Sequence, residues 1–229
     1  GGGVALLYLS IFAAFAIFSL ISLYPAVGML LLISVASAAI AIRYESVALA
    51  VIGILGAFMA PFVTGGFAQT SEEVVRAGSS IQLMAYVMAV DVGVLALSTF
   101  RNWRWFTLLA LLGSLATFGM WYDDYGSTVG VLTSQGSLTI VFLIFVAATT
   151  LFHIVWRRAP QAFDQSLMVI NAAAFFGISY GLLWDDFRPW MGGFTLLLAL
   201  FYGALAYLAL VRSREHVHLS LMALGIALV

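Results

Sequence analysis

Apolar residues occupy this chain in long unbroken runs separated by short polar stretches, without the period-2 alternation of a membrane-barrel strand. A helix needs about 20 such residues to cross a bilayer. The pattern predicts eight full spans, near 4–22, 25–42, 46–63, 80–100, 104–122, 136–156, 166–184 and 190–211, and a partial ninth from 217. The charge-free stretch Gly1 to Ile42 divides at "SLYPAVG", where the Tyr24-Pro25 step supplies a turn and proline suits a helix start. The expected fold is all-α: a polytopic transmembrane bundle of repeated helical hairpins, with residues 1–229 forming a single transmembrane region.

Composition agrees with lipid as the solvent. Hydrophobic residues make up 64% and charged residues 8%, where a soluble domain has roughly half and a quarter. In lipid, the spans must be helices or a closed barrel. A net charge of −1 without a basic patch argues against nucleic acid as a partner. The absence of Cys excludes disulfides, thiol nucleophiles and thiolate metal sites. No cleavable signal peptide is apparent at the first span. The chain begins "GGGVALL" and ends "LMALGIALV", part-way through an apolar run, so it is expected to be a segment of a longer polytopic protein.

Arginine sets the expected orientation. The connectors after spans two, four, six and eight hold Arg43, Arg101, Arg104, Arg157, Arg158, Arg212 and Arg214, seven of nine basic residues. The opposite connectors hold Arg76 and Arg188 among Glu72, Glu73, Asp123, Asp124, Asp185 and Asp186. The positive-inside rule places the Arg-rich connectors in the cytoplasm and the Asp pairs outside. Trp103, Trp105 and Trp156 fall at inner span ends, and Trp121, Trp184 and Trp190 at outer ends, as an aromatic belt requires. Arg43, Arg101, Arg157 and Arg212 lie 58, 56 and 55 residues apart, which suggests a hairpin repeat. In the longest connector, Thr70 and Glu73 fit a capping box that would start a short surface helix through Arg76.

Few polar groups interrupt the spans. Asp91 lies close to mid-bilayer by count, where a charge costs roughly 2.5–3.5 kcal/mol on insertion scales. It must be protonated, pair with Arg or meet water, either as a proton or cation relay or as a neutral acid bonded to a neighbouring helix. Asn171 and Gln82 lie in or at the edge of spans, and Asn171 reads as an interhelical hydrogen-bonding group. Pro61, amid Gly53, Gly56, Gly65 and Gly66, is expected to end the third span; carbonyls freed at such a break can bind ions in transporters. "GISYG" permits close helix approach. The Asp123–Asp124 and Asp185–Asp186 pairs follow belt tryptophans and would form an external cation site only if folding joined the two turns. "EHVH", with His216 and His218, is too sparse for a metal site, and His153 reads as interfacial. No phosphate-binding glycine loop, HExxH or G-x-S-x-G is present, and nothing calls for a cofactor or a catalytic residue.

"GVALLYLSIFAAF", "RYESVALAVIGILGAFMAPFVTGG", "AYVMAVDVGVLALSTFRNWRW" and "GSLATFGMWY" together resemble a bacterial family of many-spanning predicted membrane proteins (domain of unknown function 2339). The likeness is clear through about Tyr125 and rests on hairpin pattern beyond it. It implies an inner-membrane protein with more spans and no established activity. It also implies a polar amide at the place of Asp91, which favours a structural hydrogen bond there. Three functional classes remain: a scaffold or accessory subunit packed against lipid, other membrane proteins or the rest of its own chain; a small-solute or ion transporter using Asp91, Pro61 and Asn171; and an envelope lipid or glycan enzyme using the Asp pairs.

Overall fold

The computed structural model describes residues 2–63, 73–101, 105–151 and 162–212, and among these the regular structure is all helical, with no strand. Eight α-helices follow one another: α1 Gly2–Phe12, α2 Leu23–Tyr44, α3 Val47–Val63, α4 Glu73–Arg101, α5 Trp105–Val129, α6 Val131–Val146, α7 Ala162–Phe187 and α8 Met191–Arg212. Single π-helical stretches, Ala13–Ile17 and Ala147–Leu151, extend α1 and α6. Five segments are long and apolar enough to cross a membrane, near 25–44, 80–97, 105–129, 131–149 and 163–208. The last of these contains both α7 and α8, joined by the 3-10 turn Arg188–Trp190. Two shorter apolar segments, 2–15 and 47–61, belong to α1 and α3.

Several helix ends differ from those expected, for one physical reason. Hydropathy marks where lipid ends, whereas a helix ends where its backbone hydrogen bonding is interrupted. The first turn lies at residues 18–22, not at Tyr24-Pro25; Ser19 is in the left-handed region (φ 49°), and Pro25 sits inside the first turn of α2, where its missing N–H costs nothing. α4 starts at Glu73, so the expected surface helix and the fourth span form one element; Thr70 lies outside the described residues. α5 continues to Val129, and Gly130 alone separates it from α6, with a φ of +78° that favours glycine. One turn into the next helix, Ser134 Oγ donates back to the Gly130 carbonyl at 3.0 Å. Both Asp pairs therefore lie in the last helical turns of α5 and α7, not in connectors.

Pro61 lies inside α3, two residues before the helix reaches Val63, the end expected of the third span. The "GISYG" glycines are not close-approach positions among the described residues, since a Cβ at Gly177 or Gly181 would meet open space. Close approach occurs instead in α3, where a Cβ at Gly56 would fall 2.5 Å from the Tyr8 ring. The "NWRW" turn core, the "WRRAPQ" turn, His153, "EHVH" and the ninth span lie outside the described residues.

The chain forms two compact units, Gly1–Ser134 and Gln135–Val229. In the first, α3 is central and packs against α1, α2, α4 and α5. The α2–α3 hairpin closes through Glu45, in the left-handed conformation, and Ser46, whose Oγ accepts from Leu49 N at 3.4 Å. In the second unit, Phe142 of α6 stacks on Phe175 of α7 at 4.2 Å, with Tyr202 of α8 edge-on at 6.3 Å. Many outward positions are large and apolar, among them Leu32, Leu132, Leu197 and Leu200, as lipid contact requires.

Trp121 departs from the aromatic belt. It is 1% exposed, and its indole Nε1 donates to the Ser80 carbonyl of α4 at 3.0 Å. Trp190, in contrast, is 74% exposed. A belt assignment reads depth along the helix; it carries no information on which side of the helix faces a neighbour.

Candidate functional site

The buried polar groups of the first unit gather on contacts between helices. Asp91 is fully buried in α4, and its Oδ1 accepts from Ser114 Oγ of α5. Ser114 Oγ also lies 2.9 Å from the Ala110 carbonyl. A single hydroxyl has one proton, so both contacts are satisfied together when the carboxyl supplies a second. Asp91 Oδ2 has no hydrogen-bond partner among the described residues.

Pro61 has a different consequence from the one its position suggests. Lacking an N–H, it leaves the carbonyl four residues earlier, that of Ala57, without its usual helical donor. The Tyr86 hydroxyl of α4 donates to that carbonyl at 2.9 Å, inside the core. Nearby on α3, the Tyr8 hydroxyl lies 3.2 Å from the Gly53 carbonyl and 2.7 Å from Ser34 Oγ. Ser34 and Ser37 of α2 hydrogen-bond carbonyls of their own helix, Leu30 and Ser34, at 2.8 and 2.9 Å.

In the second unit Asn171 is 3% exposed, and its Nδ2 donates to the Phe142 carbonyl at 3.2 Å, tying α7 to α6. Gln135 Nε2 donates to Ser179 Oγ at 2.8 Å across the same pair. Tyr202 is fully buried, and its hydroxyl has no hydrogen-bond partner among the described residues. Replacing Asn171 with Leu should cost about 0.6 kcal/mol, the average for an interhelical side-chain bond in a bilayer. Reversible unfolding in bicelles measures this, and a loss above about 2 kcal/mol would make Asn171 more than an interhelical tie.

The sequence-flagged residues are divided between the two units. Asp91 and Pro61 belong to the first unit and Asn171 to the second. Asp123 and Asp124 likewise belong to the first unit, Asp185 and Asp186 to the second. Asp123, Asp185 and Asp186 are exposed, and the Arg188 guanidinium lies 4.6 Å from the Trp184 ring centre. Among the described residues no three His, Asp or Glu side chains are grouped to hold a metal ion. Gln82 is exposed on α4.

Tyr86, Ser114 and Tyr8 were not singled out by sequence reasoning. Pro61 announces an orphan carbonyl at Ala57, but its donor lies 29 residues away on another helix. Ser114 sits in "GSLATFG" with no local sign that it faces Asp91.

No curated protein and no solved structure matches this chain. The profile of the family described as "Predicted membrane protein (DUF2339)" matches residues 1–229, so the likeness extends over both units. The chain belongs to the DUF2339 family of predicted membrane proteins.

Proposed function

We propose that this chain is a structural or accessory part of an assembly in the bacterial cytoplasmic membrane, packed against other membrane protein subunits or the rest of its own chain. The observation that carries this reading is the sealed environment of Asp91. Among the described residues its carboxyl is fully buried against Ser114, and it is not one of the residues lining the apolar cavity between α2, α3 and α4. A carrier or channel needs a path along which its polar group meets water or ions. Asp91 is instead engaged with Ser114, and Tyr86 with the Ala57 carbonyl, as two polar ties between helices of a bundle.

The same reading counts eight full spans and a ninth beginning near 217. It takes α7 and α8 as separate crossings and accepts α1 with its π-helical extension, and α3, as short ones. The 17 residues of α3 rise about 26 Å, within the range a membrane helix covers. The Arg-bearing ends, including Arg43 in the last turn of α2 and Arg212 closing α8, face the cytoplasm, and the Asp-pair ends of α5 and α7 face outward.

The test is proton flux across vesicles containing the purified protein, followed with an enclosed pH-sensitive dye. Wild type and Asp91→Asn should both match empty vesicles, and the variant should unfold within about 0.5 kcal/mol of wild type. The estimate follows because the amide keeps one donor and one acceptor at the Ser114 contact. A wild-type flux that disappears in a folded Asp91→Asn protein would overturn the proposal and establish a transporter.

A further inference from the structure

A cavity of about 310 Å³ lies between α2, α3 and α4. Its origin is the unequal packing of the first unit: α2 lies closely on α3 and α4 closely on α5, while α2 and α4 meet less extensively. The floor is α3, with Gly53 and Ala57, and the buried Ser37 of α2 beside them. The mouth is bordered by exposed residues of both flanking helices, Val35 and Ala39 on α2 and Ala89 and Gly93 on α4. Small side chains on the floor and at the mouth keep the groove open.

The chemistry of the lining narrows the occupant. No charged side chain lines it. Its two hydroxyls, of Ser34 and Ser37, are already bonded to backbone carbonyls, and Ser34 also to Tyr8. A hydrated solute would therefore lose its water without gaining partners, whereas an apolar one loses nothing. Shape narrows it further. An α-helix with side chains is about 10–12 Å across, so a groove of this volume is too slight to seat a partner helix. An extended hydrocarbon chain is slender enough, and the mouth is continuous with the lipid-facing surface that includes Leu32 and Val35.

A charge follows directly in sequence after one end of the groove. Ile42 and Leu97 line that end, and the next residue after Ile42 is Arg43, exposed in the last turn of α2. Basic residues at helix ends beside interhelical pockets are suited to anionic lipid headgroups. We infer that this groove holds one acyl chain of an anionic phospholipid, with the headgroup phosphate beside Arg43. The inference needs only that the chain is in a membrane and does not depend on the accessory role.

The full protein, purified in mild detergent, is photolabelled with a phosphatidylglycerol bearing a mid-chain diazirine, and the modified peptides are mapped. Label should concentrate on α2 and α4 around Val35, Ala39 and Gly93. Unlabelled phosphatidylglycerol should compete it away about fivefold better than phosphatidylcholine of the same chains, the preference expected from one basic residue near the surface. Arg43→Gln should bring the two competitors to parity. Gly93→Leu should remove the α2 and α4 label while leaving helical content and thermal stability intact, because a Cβ there meets nothing within 4 Å. Label spread evenly over lipid-facing helices would mean annular lipid only and would overturn the site. Label unchanged in folded Gly93→Leu, or a wild-type groove closed to the probe by another protein segment, would overturn it equally.

Discussion

Trp121→Ala should destabilise the first unit by about 2–3 kcal/mol, among the largest single losses in the chain. The indole is the largest fully buried side chain among the described residues, lies at the α4–α5 contact beside Phe118 at 5.6 Å between ring centres, and donates to the Ser80 carbonyl. In a soluble core such a truncation costs roughly 3–5 kcal/mol, combining a transfer part and a cavity part. In a bilayer the separated helices already lie in an apolar solvent, so the transfer part largely vanishes while lost packing and the lost hydrogen bond remain. Trp121→Phe retains most of the volume and should lose only about 1 kcal/mol, the indole bond. Unfolding in bicelles by steric trapping reads both. A Trp121→Ala loss no greater than that of the exposed Trp190→Ala would return Trp121 to the interfacial belt.

Tyr86→Phe should cost about 1–2 kcal/mol, and the cost should depend on residue 61. Removing the hydroxyl strands the Ala57 carbonyl in the core, where an unsatisfied acceptor costs on the order of 1–3 kcal/mol. Proline at 61 is the reason that carbonyl needs an outside donor. In a Pro61→Ala background the helix supplies its own N–H, and Tyr86→Phe should then cost about 0.5 kcal/mol or less. The double-mutant cycle isolates the coupling. Equal costs in the two backgrounds would show that Tyr86 acts through packing alone, unrelated to the proline.

The two variants bear on how much of this protein is readable without a structure. Class, approximate helix positions and the membrane solvent follow from apolar runs, because lipid admits few polar groups and a helix closes its hydrogen bonds within four residues. Asp91 and Asn171 stand out for the same reason: polarity inside a span is costly enough to be noticed. Pro61 even announces which carbonyl it frees. Helix ends were less accessible, since Asp123, Asp124 and the polar residues after them sit comfortably in helix beyond the lipid, and Gly130 rather than polarity ends α5.

What only the tertiary structure decided is which polar group meets which. Ser114 for Asp91, Tyr86 for Ala57, the Phe142 carbonyl for Asn171 and Ser80 for Trp121 all join different helices. Each pairing depends on how a helix is rotated about its axis. In a soluble bundle that rotation is written as an apolar stripe against a polar face. Here the outward face is as apolar as the inward one, so sequence alone determines that these residues lie in a membrane and at about what depth, while packing determines the direction in which they point. The apolar groove between α2 and α4 belongs to the same category, because it arises from the unequal approach of helices whose separate sequences show nothing unusual.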